Sequence, residues 1–122
     1  MKFKNMFSPI QIGPMTVKNR FVVPPMGNNF ANSDGTWSDE SVAYYGERAK
    51  GQFGLITIEA TVVHKGAKGG PKKPCLYDDN SIESLKKITD ACHEEGAKVS
   101  IQLQNAGPEG NAKNAGAPIQ AA

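Results

Sequence analysis

The side chains able to do chemistry are few and scattered. A carboxamide, Gln102, stands late in an alternating run of strand type, Val99-Ser100-Ile101-Gln102-Leu103, which halts at Asn105-Ala106-Gly107-Pro108. Taken alone, it reads as a polar residue on the solvent side of a strand. Two histidines could serve as acid–base groups. His93 falls late in a helical stretch and His64 in a glycine-rich loop, and both read first as surface residues. Tyr44 and Tyr45 read as helix packing rather than as proton donors. The two cysteines, Cys75 and Cys92, form no C-x-x-C pair and have no second cluster. That argues against a structural zinc or iron–sulfur site within this segment and fits a reducing cytoplasm. Lys65, Lys68, Lys72 and Lys73 fall in a glycine-rich stretch with few aromatics, which reads as a solvated loop and not as a base-stacking surface.

The bulk properties narrow the field further. A chain of 122 residues suits one domain. A net charge of +2, with acids and bases interspersed, gives no field that would argue for nucleic acid or a membrane surface. The stretch "MKFKNMFSPIQIG" lacks the apolar length of a signal peptide, and Pro9 interrupts it. No window approaches a membrane span.

The elements that would position these groups can be read from periodicity. Ile10 and Ile12, Gly13-Pro14, then Met15 and Val17 predict a short hairpin. Phe21-Val22-Val23 predicts a strand ended by two prolines. Ser38 is an N-cap candidate, followed by Asp39 and Glu40 in the first turn, where the helix dipole favours acids. Val42, Tyr45 and Ala49 then share one helical face, and Gly51 marks the stop. Leu55-Ile56-Thr57-Ile58 predicts a strand covered on both faces, and residues 60 to 78 a long loop. Asp79 or Asn80 would cap a second helix, Glu83 completing a capping box in the latter case. Ile82, Leu85, Ile88 and Cys92 would be its buried stripe and Gly96 its end. "KVSIQL" is the third strand.

Hairpin, then β-α-β-α-β, predicts a parallel sheet with right-handed crossovers. Both a (β/α)₈ barrel and a doubly wound open sheet start this way. No G-x-G-x-x-G follows the first strand, which removes the main support for a dinucleotide fold. "GAKGG" lacks the Gly-Lys-Ser/Thr ending of a phosphate-binding loop.

Three blocks carry a more specific signal. "MFSPIQIGPMTVKNRFVVPPM", "YYGERAKGQFGLITIEATVV" and "HEEGAKVSIQLQNAG" together resemble, in order and spacing, the N-terminal part of the Old Yellow Enzyme family of NADH:flavin oxidoreductases. "PPMGNNFA" is most similar to the branch of enoate and 2,4-dienoyl-CoA reductases. The resemblance implies a (β/α)₈ barrel, of which residues 1–122 would be the N-terminal portion, with FMN at the C-terminal ends of the strands, where barrel chemistry generally resides. The hairpin would cap the opposite mouth.

By the same resemblance Gln102 would set its amide, both donor and acceptor, against the pyrimidine edge of the flavin. Pro25, Met26 and Gly27 would line the ring from the end of the first barrel strand. Ala60 would do so from the end of the second, small enough for close approach. Two positions depart from the family pattern. Gly27 stands where a Cys or Thr side chain often tunes the flavin, and Asn105-Ala106-Gly107-Pro108 stands where His-Ala-Gly-Arg is common, so that arginine is missing.

The implied activity is FMN-dependent ene-reduction, with NAD(P)H as reductant and a small enoate-type substrate. It leaves room for a 4Fe-4S cluster and FAD outside these residues. The carbonyl-binding pair, the proton donor and the phosphate-binding loops would also lie beyond the third strand. A full barrel takes about 250 residues. An inner strand face with about half a dozen bare apolar side chains, at roughly 1.5–3 kcal/mol each, would forfeit on the order of 10 kcal/mol, comparable to a whole domain's stability. The expectation is therefore a segment inactive alone, completed by further chain or by another copy. The alternative is a non-catalytic interaction domain that assembles through open strand edges.

Overall fold

A computed structural model gives the fold of residues 2–118. A short helix, α1 (Lys4–Phe7), which no periodicity announces, precedes the hairpin of β1 (Ile10–Ile12) and β2 (Met15–Val17), in which Ile10 faces Val17 and Ile12 faces Met15. Three parallel strands follow: β3 (Val22–Val23), β4 (Leu55–Val62) and β5 (Lys98–Gln104), in that spatial order. α2 (Asp39–Lys50) and α3 (Ile82–Glu94) make the crossovers that parallel neighbours require. After β5 come a 3₁₀ turn at Gly107–Glu109 and one helical turn, α4 (Ala112–Ala115), neither of which the sequence pattern announced.

The start of α2 follows its sequence signals. Ser38 Oγ accepts the Ser41 N–H at 3.2 Å, and Tyr45 and Ala49 are buried. The end differs in one respect. Gly51 follows the helix with an ordinary φ of −66°, and the left-handed residue is Gln52, at φ 67°. Gln52 is tied down: its carbonyl accepts Asn19 Nδ2 at 2.7 Å and its Oε1 accepts Lys18 Nζ at 3.1 Å.

The start of α3 corrects the capping expectation. Asp78, not Asp79 or Asn80, supplies the cap, accepting the Asn80 N–H at 3.1 Å for a 3₁₀ turn at Asp79–Ser81 that runs into the helix. This tighter turn changes which residue faces inward at the entry. Ser81 is buried and Ile82 is 57% exposed, so the inward stripe is Leu85, Ile88 and Cys92. Gly96, at φ 72°, makes the left-handed exit.

β4 is longer than its apolar run suggests. It continues past Ile58 because Thr61 and Val62 find partners in Leu103 and Gln104, and Val62 also bridges to Cys75. Ala60 therefore lies inside the strand, and the loop begins later. That loop has a small core of its own, Val62, Ala67 and Cys75 with Tyr77 against it. Lys68 is not solvated as expected: it is buried, and its Nζ donates to the Ser33 carbonyl at 2.9 Å.

The main core lies between the sheet and the two helices. Val23, Ile56 and Ile58 meet Tyr45 and Ala49 of α2 and Ile88 and Cys92 of α3, with Val99 and Ile101 at the margin. Each large side chain buried there contributes about 1.5–3 kcal/mol. The opposite face carries Val22 and Leu55 but also Thr57, Lys98, Ser100 and Gln102, since register and alternation put these together. Thr57 and Ser100 share a hydrogen bond between their hydroxyls at 2.8 Å. The expected bare apolar face is thus corrected: it is largely polar.

The hairpin packs at the N-terminal ends of the strands. Lys18 Nζ donates to the Glu95 carbonyl, just before β5, at 2.6 Å. Phe7, Phe21 and Phe53 stack edgewise below β3 and β4, with centroids 5.2 and 6.5 Å apart. Gly54 allows the closest approach, because a Cβ there would fall 2.7 Å from Val17 Cγ1 and 2.8 Å from the Asn19 carbonyl oxygen. The other end of the sheet is left open.

Candidate functional site

At that open, C-terminal end the candidate residues converge. Pro25-Met26-Gly27 leaves β3 with Pro25 half-buried and Met26 and Gly27 exposed. An Asx turn follows, in which Asn28 Oδ1 accepts the Phe30 N–H at 2.9 Å. Across the sheet, Ile58 pairs with Ile101 and Thr61 with Leu103, so two residues of β4, Glu59 and Ala60, stand opposite the single Gln102. This is a bulge, which bends a strand and re-aims its side chains. It brings Ala60 and the exposed Gln102 to adjacent positions.

The bulge also carries a residue the sequence reading overlooked. Glu59 is fully buried. Its Oε2 accepts the Asn28 N–H at 3.2 Å, its own N–H donates to Tyr45 Oη at 3.0 Å, and its carbonyl accepts the Thr61 hydroxyl at 2.8 Å. Oε1 has no partner among the described residues. Burial pushes the carboxyl above its ordinary range, against the Asn28 bond and the positive charge of Lys73. Lys73 reaches the same spot: a Cβ on Gly27 would fall 3.0 Å from its Nζ and 3.7 Å from Glu59 Oε2. A charge inside "LITIEATV" was the available signal for Glu59. Lys73 lies 14 residues away in a loop, and nothing in its neighbourhood announced it.

The other reactive side chains lie elsewhere. His64 is exposed, and its Nδ1 accepts the Gly66 N–H at 3.1 Å to cap a 3₁₀ turn. His93 is exposed on α3. Tyr45 is buried packing, its hydroxyl engaged by the Glu59 backbone, and Tyr44 stacks under the Arg48 guanidinium at 3.2 Å. Among the described residues no three of His, Cys, Asp and Glu cluster to hold a metal. A cavity of about 750 Å³ opens between the β3–α2 loop and the start of α3, against Trp37, Ser38, Asn80 and Lys87, and none of the candidate residues lines it.

Residues 5–120 match the NADH:flavin oxidoreductase / NADH oxidase family. The chain belongs to that family. Among solved structures it is similar to a 2-naphthoyl-CoA reductase in complex with 2-naphthoyl-CoA, at 33% identity and a TM-score of 0.88, over 93% of this chain and 17% of that one. It is also similar to Old Yellow Enzyme from Pichia sp. AKU4542, at 34% identity and a TM-score of 0.86, over 93% of this chain and 30% of that one. The Old Yellow Enzyme homologue from Zymomonas mobilis gives 31% identity and a TM-score of 0.85, over 92% of this chain and 31% of that one. The chain thus spans less than a third of the length of these relatives. Its fold is the N-terminal portion of an Old Yellow Enzyme (β/α)₈ barrel.

The groups exposed at the open strand ends of this family member are chemically compatible with a planar, polar-edged ring such as a flavin. Gln102 presents an exposed amide, donor and acceptor together. Ala60 adds only a methyl group beside it, and Gly27 presents backbone, with Lys73 Nζ 3.0 Å from the place its Cβ would take. Met26, 46% exposed, offers a polarisable apolar surface of the kind that packs on aromatic systems.

Proposed function

We propose that residues 2–118 form one wall of the flavin site of an FMN-dependent ene-reductase, within a single barrel domain that includes residues 1–122. The observation that carries this reading is the convergence of Pro25-Met26-Gly27, the Glu59–Ala60 bulge and Gln102 at the C-terminal ends of three adjacent parallel strands. That is the end at which barrels of this type hold their chemistry.

In this reading the Gln102 amide hydrogen-bonds the polar edge of the pyrimidine ring, Ala60 lets the ring approach β4, and the Gly27 backbone faces it from β3. Pro25 and Met26 close the apolar side against water. FMN, when bound, supplies hydride transfer from NAD(P)H to the activated double bond of a small enoate-type substrate, while the protein orients and surrounds it. The groups that polarise the substrate carbonyl, donate the proton and hold the FMN phosphate are assigned to chain outside these residues, as are a 4Fe-4S cluster and FAD if the enoate-reductase branch applies. Without them the segment is inactive alone.

β5 has one strand neighbour among the described residues. Its open edge supports pairing with further barrel strands or, as the second reading, self-association. No helix among the described residues is long and apolar enough to cross a membrane. Cys75 and Cys92 are both unpaired and buried, which supports a reducing, cytoplasmic setting.

The experiment is Gln102→Leu in the protein that carries this chain, with flavin content and reduction potential measured together. Leucine is close in volume and offers no hydrogen bond. A buried polar edge of the flavin left unpaired costs about 1–3 kcal/mol. The expected result is weaker FMN retention and a lower potential, because the amide N–H favours the reduced, more negative ring. Full occupancy at an unchanged potential would remove Gln102 from the site.

A further inference from the structure

The position of Glu59 calls for a reason. A carboxyl group placed fully inside, on a strand whose neighbours are Ile58 and Ala60, incurs a desolvation cost that an apolar residue would avoid. One of its oxygens is used, on the Asn28 N–H at 3.2 Å, and the other is buried without a partner among the described residues. No ion pair closer than 4 Å compensates it among those residues. The opposite charge that acts on it is Lys73, which crosses in front of Gly27 where a side chain would otherwise stand. The carboxyl, the ammonium and the Gly27 backbone therefore occupy one small volume at the C-terminal end of β3, next to the bulge that faces Gln102.

We propose that Glu59 and Lys73 are a pair of positioning residues of opposite charge. Glu59 holds the Gly27–Asn28 backbone against β4, and Lys73 supplies a positive field over Gly27, from the space a side chain there would otherwise fill. This rests on the reading of residues 25–27, 60 and 102 as ring-facing. A planar group covering Gly27 displaces water from the pair. Lower local dielectric then strengthens the attraction between the ammonium and the carboxyl, and the effect of each on charge arriving nearby. Reduction adds negative charge to a flavin. Lys73 favours that change and Glu59 opposes it, so removing each should move the potential in opposite directions.

The test uses the FMN-loaded protein that carries this chain and two readouts, the two-electron reduction potential and the dissociation constant of oxidised FMN. Lys73→Met should lower the potential, and Glu59→Gln should raise it. Each shift corresponds to about a tenfold change in the balance between reduced and oxidised forms, or about 30 mV. Glu59→Gln keeps an acceptor for the Asn28 N–H and should bind oxidised FMN within about threefold of wild type. Glu59→Leu loses the acceptor, and FMN affinity should fall at least about tenfold, as expected for loss of a charge-assisted hydrogen bond. Rescue by Gln in affinity, together with opposite signs in potential, separates this role from simple packing.

Shifts of the same sign, or none, in Lys73→Met and Glu59→Gln would overturn the proposal. If Gln102→Leu alters the potential in the same series, the flavin reading survives that failure. If all three variants match wild type, both fall. A Glu59→Gln protein that loses FMN as completely as Glu59→Leu would also overturn it, since the retained acceptor would then count for nothing.

Discussion

The hydroxyl of Tyr45, in the middle of α2, accepts the backbone N–H of Glu59 in β4 at 3.0 Å. The bulge turns this N–H away from the ladder, and a helix side chain takes it up. Tyr45 Oη is thus the group that makes the irregular strand affordable in a dry core. Burial raises the Tyr45 hydroxyl far above its ordinary pKa, so it stays protonated at all working pH values.

Tyr45→Phe should therefore destabilise the protein by about 1–3 kcal/mol, because it preserves the ring and orphans a buried N–H. Denaturant titration of wild type and variant checks this. The loss should appear as a lower midpoint at an unchanged slope. An unchanged midpoint would mean that the Glu59 N–H has found another partner.

Gly54→Ala should be costlier than its single added carbon suggests. The new Cβ would fall 2.7 Å from Val17 Cγ1 and 2.8 Å from the Asn19 carbonyl oxygen, and the latter is backbone. The hairpin would have to move away from the foot of β4, at about 1–3 kcal/mol for overpacking. Thermal unfolding is the measurement, together with hydrogen exchange at Val17 and Phe21. Exchange there should rise relative to the centre of α2.

The pH dependence of stability should carry the signature of Glu59. Its folded-state pKa lies above the ordinary value of 4.5, with burial the first cause and the Asn28 bond and Lys73 acting against it. Protonation therefore favours the fold. Wild type should lose this contribution as pH rises from about 4.5 through the folded-state value, and be level above it. Glu59→Gln has no such proton to lose. The stability difference between variant and wild type should thus move in favour of the variant across that window and be flat on both sides. Parallel melting curves from acid to neutral pH would show that the carboxyl titrates normally.

The course of the chain was legible wherever local pattern and tertiary context agreed. Ser38 capped its helix as its hydroxyl and the acids after it suggested, and the alternation of β and α elements gave the parallel sheet. The misses at the end of α2 and the start of α3 are local, a left-handed Gln52 and a 3₁₀ turn, but those in β4 and its loop share another origin: partners distant in sequence. The β4 strand outlasts its apolar run because Leu103, Gln104 and Cys75 offer pairing that no window around Thr61 contains. Lys68 is drawn inside by a carbonyl at Ser33. The resemblance named Pro25, Met26, Gly27, Ala60 and Gln102 as candidates, and it did not name Lys73. Its relation to Gly27 exists only once a loop of irregular backbone has folded back over β3.

The hydroxyl pair of Thr57 and Ser100 has a consequence for the order of events during synthesis. Translation is vectorial, and the early strands of a barrel emerge before the strands that will close it. A sheet face of Thr57, Lys98, Ser100 and Gln102 tolerates water while it waits, whereas the opposite face is sealed as soon as α2 and α3 dock. The nascent chain therefore exposes little on this side that would recruit a chaperone or a neighbouring polypeptide. Its adhesive features at that stage include the backbone rims of both edge strands, β3 and β5.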